Sequence, residues 1–386
     1  MVDVIQKHTL VLVDSSICIT GALKSAVQQA VSLRFYYRFV IVLPEKSSAI
    51  DFVKAHGLLV QTLPMLELRR NVLVVLHYPL RLLVNAARLV TIVQSEGAIA
   101  LVMNDYYNLL GACVKMRMPN LHMLTFVRFL PSTMPTLLNK LWIAAALRYA
   151  NSVVAVSDAV RLQLPRVCKV KLLYNAVQFA EYHSPYQVRN CTSTVELLYL
   201  GNYIRGKGQD YALRAFELAY HKDKRLRLTF MGGTMGLAKN EAFKTDLERY
   251  AADAGLTEVT VFLPFADDVE SAYKSADIFL NFSEAESFSM TCAEASYYGV
   301  PTIASRCGGP EEIIVDELTG MLRPNRDVAA FAAAMVSLAG NTSLRQAFSG
   351  QCRNHVRKKF SCREFREKLI QLLPLPLPLT IVDVPE

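Results

Sequence analysis

Short apolar runs alternate with amphipathic helical patterns along the whole chain. The runs that predict strands in the first half are Thr9–Val13, Phe39–Leu43, Leu58–Leu63, Ile99–Met103, His122–Val127, Val153–Val156 and Val170–Leu173. In the second half they are Leu197–Leu200, Leu226–Met231, Val259–Leu263, Ile278–Phe282 and Thr302–Ala304. Helical periods separate them, for example over Ala22–Leu33, Leu137–Ala150, Tyr211–Tyr220, Glu241–Ala254, Asp327–Leu338 and Leu344–Lys358. Strands that alternate with helices are typical of crossover units, so we expect an α/β protein with mostly parallel sheets.

The length of 386 residues suits two domains better than a single core. A polar stretch with neither helical nor strand period, Phe179–Ser193, is the expected linker. We therefore predict one domain over residues 1–180 and a second over residues 194–360. Residues 361–386 are expected to hold a C-terminal helix and a proline-rich tail, because the alternating prolines from Leu373 onward cannot continue a helix.

The chain is apolar for a soluble protein, with 52% hydrophobic residues and a mean hydropathy of +0.23. Parallel sheets buried on both faces raise this fraction, and so does membrane contact. One long apolar stretch, Val72 to Val93, contains Arg81 and Arg88, which are costly inside a membrane-spanning helix. These arginines are seven residues apart and share a helical face. Two interpretations stay open: a helix lying on a membrane surface, or a core helix with two exposed arginines.

The net charge of +8 is unevenly distributed. Residues 1–190 hold 20 Lys and Arg against 9 Asp and Glu, whereas residues 191–352 hold 15 against 21. Residues 353–368 are basic again, with seven Lys and Arg against two Glu. A basic first half suggests contact with an anionic surface, such as a membrane, and a solvated face without a partner is the alternative. No aromatic–basic motif supports nucleic acid, so we expect no nucleic-acid partner.

The cysteines and the N-terminal residues bear on the compartment. Eight cysteines are scattered without a Cys-x-x-Cys pair, which argues against a zinc site and against a disulfide framework. The first residues run directly into a predicted strand and lack the layout of a signal peptide. We therefore expect a protein of the reducing cytosol.

The segment from Glu286 to Glu294 carries the strongest chemical signal. It follows the predicted strand Ile278–Phe282 and opens a helix. Two carboxylates eight residues apart on a helix lie about 12 Å apart along its axis, which is the scale of a nucleotide sugar. The helix N-terminus near Ser287 to Met290 would offer backbone N–H groups to phosphate. Chance pairs of this kind are common, so the segment gains weight only from its context.

Three further loops supply that context, each after a predicted strand. Gly201 to Gly208 is a glycine-containing turn with Lys207 as a cation for a leaving diphosphate, and it lacks the order of a Walker P-loop. The other two loops hold Gly308-Gly309 with Glu312, and Asp316 to Gly320. In open parallel sheets, ligands bind at loops of this kind.

Taken in order, these motifs resemble those of the family 4 glycosyltransferases of the GT-B fold. The matching elements are Lys207-Gly208, Ser283 with Glu286 and Glu294, Gly299-Val-Pro301, Gly308-Gly309 with Glu312, and Asp316 to Gly320. Near the end of the first half, Ser157-Asp158 and Asn175-Ala-Val are similar to the family's landmarks. The resemblance covers roughly residues 195–373, and the first 150 residues match only in outline.

The resemblance implies two Rossmann-like domains, with mostly parallel sheets facing across a cleft. The second domain would bind the nucleotide sugar, the first would bind the acceptor, and the C-terminal helix would pack back toward the first. The reaction implied is a retaining transfer that needs no metal and no cofactor besides the nucleotide-sugar substrate.

Site residues are implied position by position. Lys207 would neutralise the diphosphate, Glu286 would hold hydroxyls of the donor sugar, and Glu294 would hold the ribose. The full donor-binding set would be Gly21, Gly201, Asn202, Arg205, Lys207, Glu286, Phe288, Ser289, Met290 and Glu294.

Two positions depart from the family pattern. The family often has Gly-Arg before its Lys-Gly, whereas this chain has Gly201-Asn202, so Arg205 is the candidate for the missing cation. The sugar-facing His of the first domain is replaced near the end of His122–Val127 by Arg128, which we take as the third catalytic candidate beside Glu286 and Lys207.

The predicted function is a hexosyltransferase acting in cell-surface polysaccharide synthesis, from a UDP-linked donor to a lipid-linked or growing glycan. It would work in the cytoplasm, peripherally on the inner face of the cell membrane. One alternative is a UDP-sugar 2-epimerase of the same fold, which would need carboxylates in the first domain for proton transfer. The other is a non-catalytic two-lobe protein that binds a sugar or nucleotide.

Overall fold

The computed structural model describes residues 7–65, 72–177, 193–266 and 269–374. The chain divides into two compact units, one formed by residues 1–178 with 362–386 and one by residues 179–361. Almost all of the predicted linker Phe179–Ser193 lies outside the described residues, and so does the proline-rich tail after Pro374.

The first unit is a parallel sheet with helices between its strands. The strands are β1 (His8–Val13), β2 (Tyr37–Pro44), β3 (Leu59–Leu63), β4 (Ala98–Met103), β5 (His122–Val127), β6 (Ser152–Ala155) and β7 (Val170–Leu172). The helices are α1 (Gly21–Ser32), α2 (Ile50–Ala55), α3 (Val72–Ser95), α4 (Leu110–Arg117), α5 (Thr136–Tyr149), α6 (Asp158–Arg161) and, from the end of the chain, α14 (Cys362–Leu372). The strand order is β3-β2-β1-β4-β5-β6-β7, and every described pairing is parallel.

The second unit repeats this plan with one strand fewer. Its strands are β8 (Val195–Leu200), β9 (Leu226–Met231), β10 (Thr260–Leu263), β11 (Ile278–Asn281), β12 (Thr302–Ser305) and β13 (Gly320–Arg323). Its helices are α7 (Gln209–Lys222), α8 (Ala238–Asp253), α9 (Glu270–Ser275), α10 (Met290–Tyr298), α11 (Pro310–Ile313), α12 (Val328–Gly340) and α13 (Thr342–Lys359). The order β10-β9-β8-β11-β12-β13 is again fully parallel. The predicted α/β class with two Rossmann-like parallel sheets is confirmed.

Short elements escaped the sequence pattern. Strand β13 has four residues, and helices α6 and α11 have four residues each, which is too short for a helical period to appear. The long predicted elements agree closely with the structure: the expected helix Leu344–Lys358 is α13, and the expected helix Ala22–Leu33 is α1.

The core of the second unit explains how its sheet positions the following loops. The inward residues of the strands are almost all apolar, and α7 and α12 pack against each other over them. At the end of β11, the Phe282 ring stacks on the Phe331 ring of α12, with centroids 3.8 Å apart. Because Phe282 is completely buried, the loop that follows it starts from a fixed point.

The C-terminal helix α14 belongs to the first unit. Its buried face includes Phe365 and Leu369, and the helix contacts α1. The chain is fastened beyond the helix as well, because the Tyr37 hydroxyl donates to the carbonyl of Pro374 at 2.8 Å.

Helix α3 covers the long apolar stretch of the sequence. Both of its arginines, Arg81 and Arg88, are exposed, while Leu89 is buried. Leu80 and Leu83 share the exposed side, so more than the two arginines faces solvent. Within the described part of the chain, no helix combines the length and the apolar character needed to span a membrane.

One glycine controls how closely the loop after β8 approaches the loop after β11. Gly208 has φ of +83°, and a Cβ atom there would lie 2.0 Å from the carbonyl oxygen of Phe282. Gly206, two residues earlier, has φ of +89°, but a Cβ atom there would meet nothing within 4 Å. The two positions therefore share the left-handed backbone and differ in the close contact.

We predict that Gly208→Ala destabilises the second unit by about 3 kcal/mol or more, because strain and a backbone clash add together. Gly206→Ala, the matched control, should cost only about 1 kcal/mol for its left-handed backbone. Urea unfolding of both variants measures the difference, and equal losses would show that the close approach of these two loops does not exist.

Candidate functional site

The strand order of the second unit places two loops side by side. The chain runs outward from β8 to β9 and β10, then returns to lay β11 on the other side of β8. At such a reversal, the loops after the two central strands turn in opposite directions and leave a crevice. The loops concerned are 201–208 after β8 and 282–289 after β11, which are the two strongest motifs of the sequence.

An ion pair joins these loops. The ammonium nitrogen of Lys207 lies 2.8 Å from Oε1 of Glu286, and the Ser283 hydroxyl donates to the same oxygen at 2.8 Å. The Glu286 side chain is 13% exposed and that of Lys207 is 37% exposed, so the lysine is partly accessible while the carboxylate is largely buried. The structure thus brings together two of the three predicted catalytic residues.

Opposing effects act on the pKa of Lys207. Burial disfavours the ammonium, but the charge of Glu286 and its hydrogen bond outweigh burial and raise the pKa above its ordinary value. Lys207 is therefore a cation at neutral pH.

A buried tyrosine holds the turn that carries Lys207. The Tyr199 hydroxyl donates to the carbonyl oxygen of Lys207 and accepts from the N–H of Phe282 at 2.9 Å. Tyr199 lies on β8 and is 2% exposed, so its ring is fixed by the core. One side chain therefore sets the spacing between the two loops.

The Glu286 segment is also fixed by the loop after β12. The Glu286 N–H donates to the carbonyl of Cys307 at 3.2 Å, and the Gly309 N–H donates to the carbonyl of Glu286 at 2.8 Å. A Cβ atom at Gly309 would lie 2.4 Å from the backbone of Phe288. The Phe288 ring meets the Phe360 ring edge-on, with centroids 5.2 Å apart. The backbone from Glu286 to Phe288 is therefore held in one conformation by its neighbours.

Helix α10 begins at Met290, within the predicted window. The preceding residue, Ser289, has φ of +73°, which is rare for a residue other than glycine, and its side chain makes no capping hydrogen bond. Its hydroxyl instead accepts from the side-chain amide of Asn281 at 3.1 Å. Strain of this kind concentrates at functional sites, and a helix N-terminus without a side-chain cap suits an anion.

The prediction that Glu286 and Glu294 both lie on one helix was wrong for Glu286. Glu286 lies on the loop and forms a parallel bridge with Gly308, four residues before the helix begins. Glu294 does lie on α10, where it is partly exposed and its Oε2 accepts the Tyr273 hydroxyl at 2.8 Å.

Gly201 and Asn202 lie at the turn between β8 and the Lys207 loop. The Asn202 side-chain oxygen accepts the N–H of Gly233 at 3.1 Å, and a Cβ atom at Gly232 would lie 2.0 Å from the carbonyl of Gly201. These contacts fasten the turn to the loop after β9. Their predicted role in donor binding stays a prediction.

Arg205 does not accompany Lys207 as expected. Its side chain is 70% exposed and pairs with Asp246 of α8 at 2.9 Å, lying over the Phe243 ring. A carboxylate and an aromatic face on the neighbouring helix offer the guanidinium better partners than the already neutralised Lys207–Glu286 pair.

In the first unit, Gly21 is the first residue of α1. The preceding Thr20 caps the helix by accepting the N–H of Leu23 at 3.2 Å. Gly21 is exposed, and a Cβ atom there would meet nothing within 4 Å. No packing contact of the described residues requires a glycine at this position, so its predicted approach to a diphosphate stays a prediction.

Arg128 follows β5 as expected, but it lies in the interior. It is 5% exposed, and its guanidinium donates to side-chain oxygens of Asn104 at 2.5 Å, Asn175 at 2.9 Å, Gln29 at 2.9 Å and Ser25 at 3.2 Å. The expectation that it substitutes for a sugar-facing histidine is therefore corrected: Arg128 ties α1, β4 and β5 together.

Two buried carboxylates lie at the point where the first sheet reverses, after β1 and β4. Asp14 accepts the side-chain amide of Asn104 at 2.5 Å, and Asp105 accepts the Ser15 hydroxyl at 2.6 Å. Burial raises the pKa of Asp105, and the charge of Asp14 raises it further. Burial lowers the pKa of Arg128 to about 10, although both carboxylates oppose this shift.

Sequence reasoning missed Tyr199 and Tyr273, and although Asp14 and Asp105 are among the few carboxylates of the first half, it did not predict that they pair. The tyrosines stand in apolar surroundings and resemble core residues, while the two aspartates are 91 positions apart in the chain. One signal was available: each aspartate follows a predicted strand within two residues.

Among the described residues, no group of three or more His, Cys, Asp or Glu could hold a metal ion.

Residues 189–355 match the family described as Glycosyl transferases group 1. The D-inositol 3-phosphate glycosyltransferase of Saccharomonospora viridis is 30% identical over 184 residues, which are 46% of this chain and 42% of that protein. This chain therefore spans less than half the length of that relative.

Solved structures resemble nearly the whole chain. Anabaena HepE in complex with UDP and glucose has a TM-score of 0.80 at 17% identity, covering 94% of this chain and 98% of HepE. A Staphylococcus aureus TarM variant in complex with UDP has a TM-score of 0.75 at 13% identity, covering 95% and 99%. At these identities the likeness shows the fold, which is GT-B.

Sequence match, strand order and loop geometry point in one direction. Residues 189–355 match the glycosyl transferases group 1 family, and the fold of the chain is GT-B.

Proposed function

We propose that this protein is a retaining hexosyltransferase that moves a sugar from a UDP-linked donor to a lipid-linked or growing glycan. The observation that carries the proposal is the Lys207–Glu286 pair, at the reversal of a parallel sheet and beside the N-terminus of α10. A cation, a helix end and a carboxylate are the groups that a diphosphate and a sugar need.

Donor binding would proceed by exchange of partners. The diphosphate carries more negative charge than a carboxylate, so it would draw the Lys207 ammonium away from Glu286. Glu286 would then keep its bond from Ser283 and accept hydroxyls of the donor sugar. Glu294 on α10 would take the ribose hydroxyls. Until the donor binds, Lys207 and Glu286 neutralise each other's charge.

UDP is the nucleotide that the comparisons favour. HepE has been solved with UDP-glucose and TarM with UDP, and both share the fold of this chain. The proposed reaction uses Lys207 and the amides of α10, rather than a divalent cation, to stabilise the leaving diphosphate.

Retention of configuration would follow from transfer on one face of the sugar. The acceptor hydroxyl would lose its proton to the departing phosphate oxygen as the new glycosidic bond forms and the sugar–phosphate bond breaks. This route needs no protein base in the first unit, and it is compatible with the buried position of Arg128.

Without added metal, we predict that UDP at about 100 times its Kd stabilises the wild type by about 2.7 kcal/mol. Lys207→Ala should weaken UDP binding by about 10- to 100-fold, because it removes a charge-assisted contact. Thermal unfolding with UDP, UDP-glucose, UDP-galactose, UDP-GlcNAc and GDP-mannose measures both effects.

Arg205→Ala is the matched control for that experiment. It removes a cation from the same loop, but Arg205 pairs with Asp246 and not with the site, so the UDP shift should remain at the wild-type level. A Lys207→Ala variant with the full wild-type shift would contradict the proposed donor site.

A membrane surface is the proposed partner of the first unit. Helices α3, α4 and α5 pack in sequence, α3 on α4 and α4 on α5, and none of the three contains an acidic residue. From residue 77 onward, their exposed large apolar side chains are Leu80, Leu83, Val84, Met116, Leu137, Leu138 and Leu141. Their exposed basic residues are Arg81, Arg88, Arg117, Lys140 and Arg148. Leucines among cations suit an anionic lipid surface and would place the protein on the inner face of the cell membrane.

We predict that the protein binds phosphatidylglycerol vesicles, and that Leu137→Ser with Leu141→Ser lowers the vesicle partition coefficient by about tenfold or more. The matched control is Leu218→Ser with Leu318→Ser, which removes two leucines exposed on the second unit. Vesicle sedimentation at low and high salt distinguishes the variants. Equal binding by both pairs, or no binding by the wild type, would refute the membrane proposal.

A further inference from the structure

Tyr273 lies directly behind the carboxylate of Glu294. It is completely buried on α9, where its ring stacks on that of Tyr298 with centroids 5.3 Å apart and planes at 21°. Phe279 of β11 holds it from another side, with centroids 5.6 Å apart. A ring packed in this way cannot change rotamer without opening the core, so the position of its hydroxyl is fixed.

The Tyr273 hydroxyl has two acceptors and one proton. Oε2 of Glu294 lies at 2.8 Å and the carbonyl of Thr291 at 3.2 Å. The closer acceptor is the carboxylate, and hydrogen bonds to ionised acceptors are the stronger ones. Burial raises the pKa of Tyr273 well above its ordinary value, and the charge of Glu294 raises it further. The phenol therefore remains a donor at any physiological pH.

We propose that Tyr273 is a positioning residue that holds Glu294 in the orientation in which it binds the ribose hydroxyls of the donor. This inference rests on the proposed function, since it requires a nucleotide at α10. Tyr273 acts through Glu294 and does not itself touch the ligand.

Glu286, the other carboxylate of the candidate site, is also held in place by hydrogen-bond donors. Glu286 is held by the Ser283 hydroxyl from its own loop and by Lys207 from the neighbouring loop. Glu294 stands on a helix surface, where a glutamate without a partner samples several rotamers, and the donor would have to restrict them on binding. A hydroxyl fixed in the core restricts them before the ligand arrives, so affinity is gained without a new contact to the ligand.

The test is Tyr273→Phe, which keeps the ring and removes only the hydroxyl. Calorimetric titration compares UDP with 2′,3′-dideoxyuridine diphosphate, which lacks the hydroxyls that Glu294 is proposed to bind. Tyr273→Phe should raise the Kd for UDP by about five- to tenfold, the effect of one ordinary hydrogen bond, because Glu294 is still free to reach the ribose but loses a restraint on its rotamer. The Kd for the dideoxy ligand should stay within about twofold. In a Glu294→Ala background, Tyr273→Phe should have no further effect on UDP.

Tyr250→Phe is the matched control. It removes a hydroxyl that donates to Glu217, another tyrosine–glutamate bond of the second unit, and the Kd for UDP should not change. Equal weakening of both ligands by Tyr273→Phe would show that the hydroxyl supports only the fold, and an unchanged UDP affinity would likewise overturn the inference. Absence of UDP binding by the wild type would instead overturn the proposed function, and the inference with it.

Discussion

The ion pair between Lys207 and Glu286 is the interaction on which the candidate site of the second unit depends. It can exist only because β8 and β11, which are adjacent in the sheet, each end in a loop at the same edge. Parallel strands place all their carboxyl ends at one edge, and the reversal of strand order opens the space between these two loops. Tyr199 and Gly208 then set the distance between them, one by hydrogen bonds and the other by the absence of a side chain.

The two units share the same strand order, but the polar groups at the reversal of each sheet differ in burial. At the reversal of the first sheet, Asp14, Asp105 and Arg128 are all buried and bonded to neighbouring polar groups. At the reversal of the second sheet, the Lys207 side chain of the charged pair is partly exposed, next to a strained turn and a helix N-terminus. Buried charges that satisfy one another support a fold, whereas accessible charges can exchange partners with a ligand. The same strand order thus yields a buried polar cluster in one unit and a partly exposed ion pair in the other.

Much of this could be predicted from the sequence, and the remainder has a common physical cause. Strand and helix periods predict two parallel sheets, and the glycines and charges after strands predict the Lys207 and Glu286 loops. What could not be predicted is the direction of individual side chains. Arg205 turns to Asp246, and Arg128 turns inward to polar partners on α1, just after β4 and beyond β7. From the sequence alone, Tyr273 is predicted to be an ordinary core residue. Its hydrogen bond to Glu294 becomes apparent only in the structure. These orientations depend on which elements become neighbours, and that information lies outside any local pattern.

The most direct test of the account is a crystal structure of the protein with UDP bound. The account predicts the diphosphate within hydrogen-bond distance of the Lys207 ammonium and of the first amides of α10. Glu286 should then be released from Lys207 while it keeps its bond from Ser283, and Glu294 should accept the ribose hydroxyls. A diphosphate bound elsewhere, with the Lys207–Glu286 pair intact, would contradict the central claim.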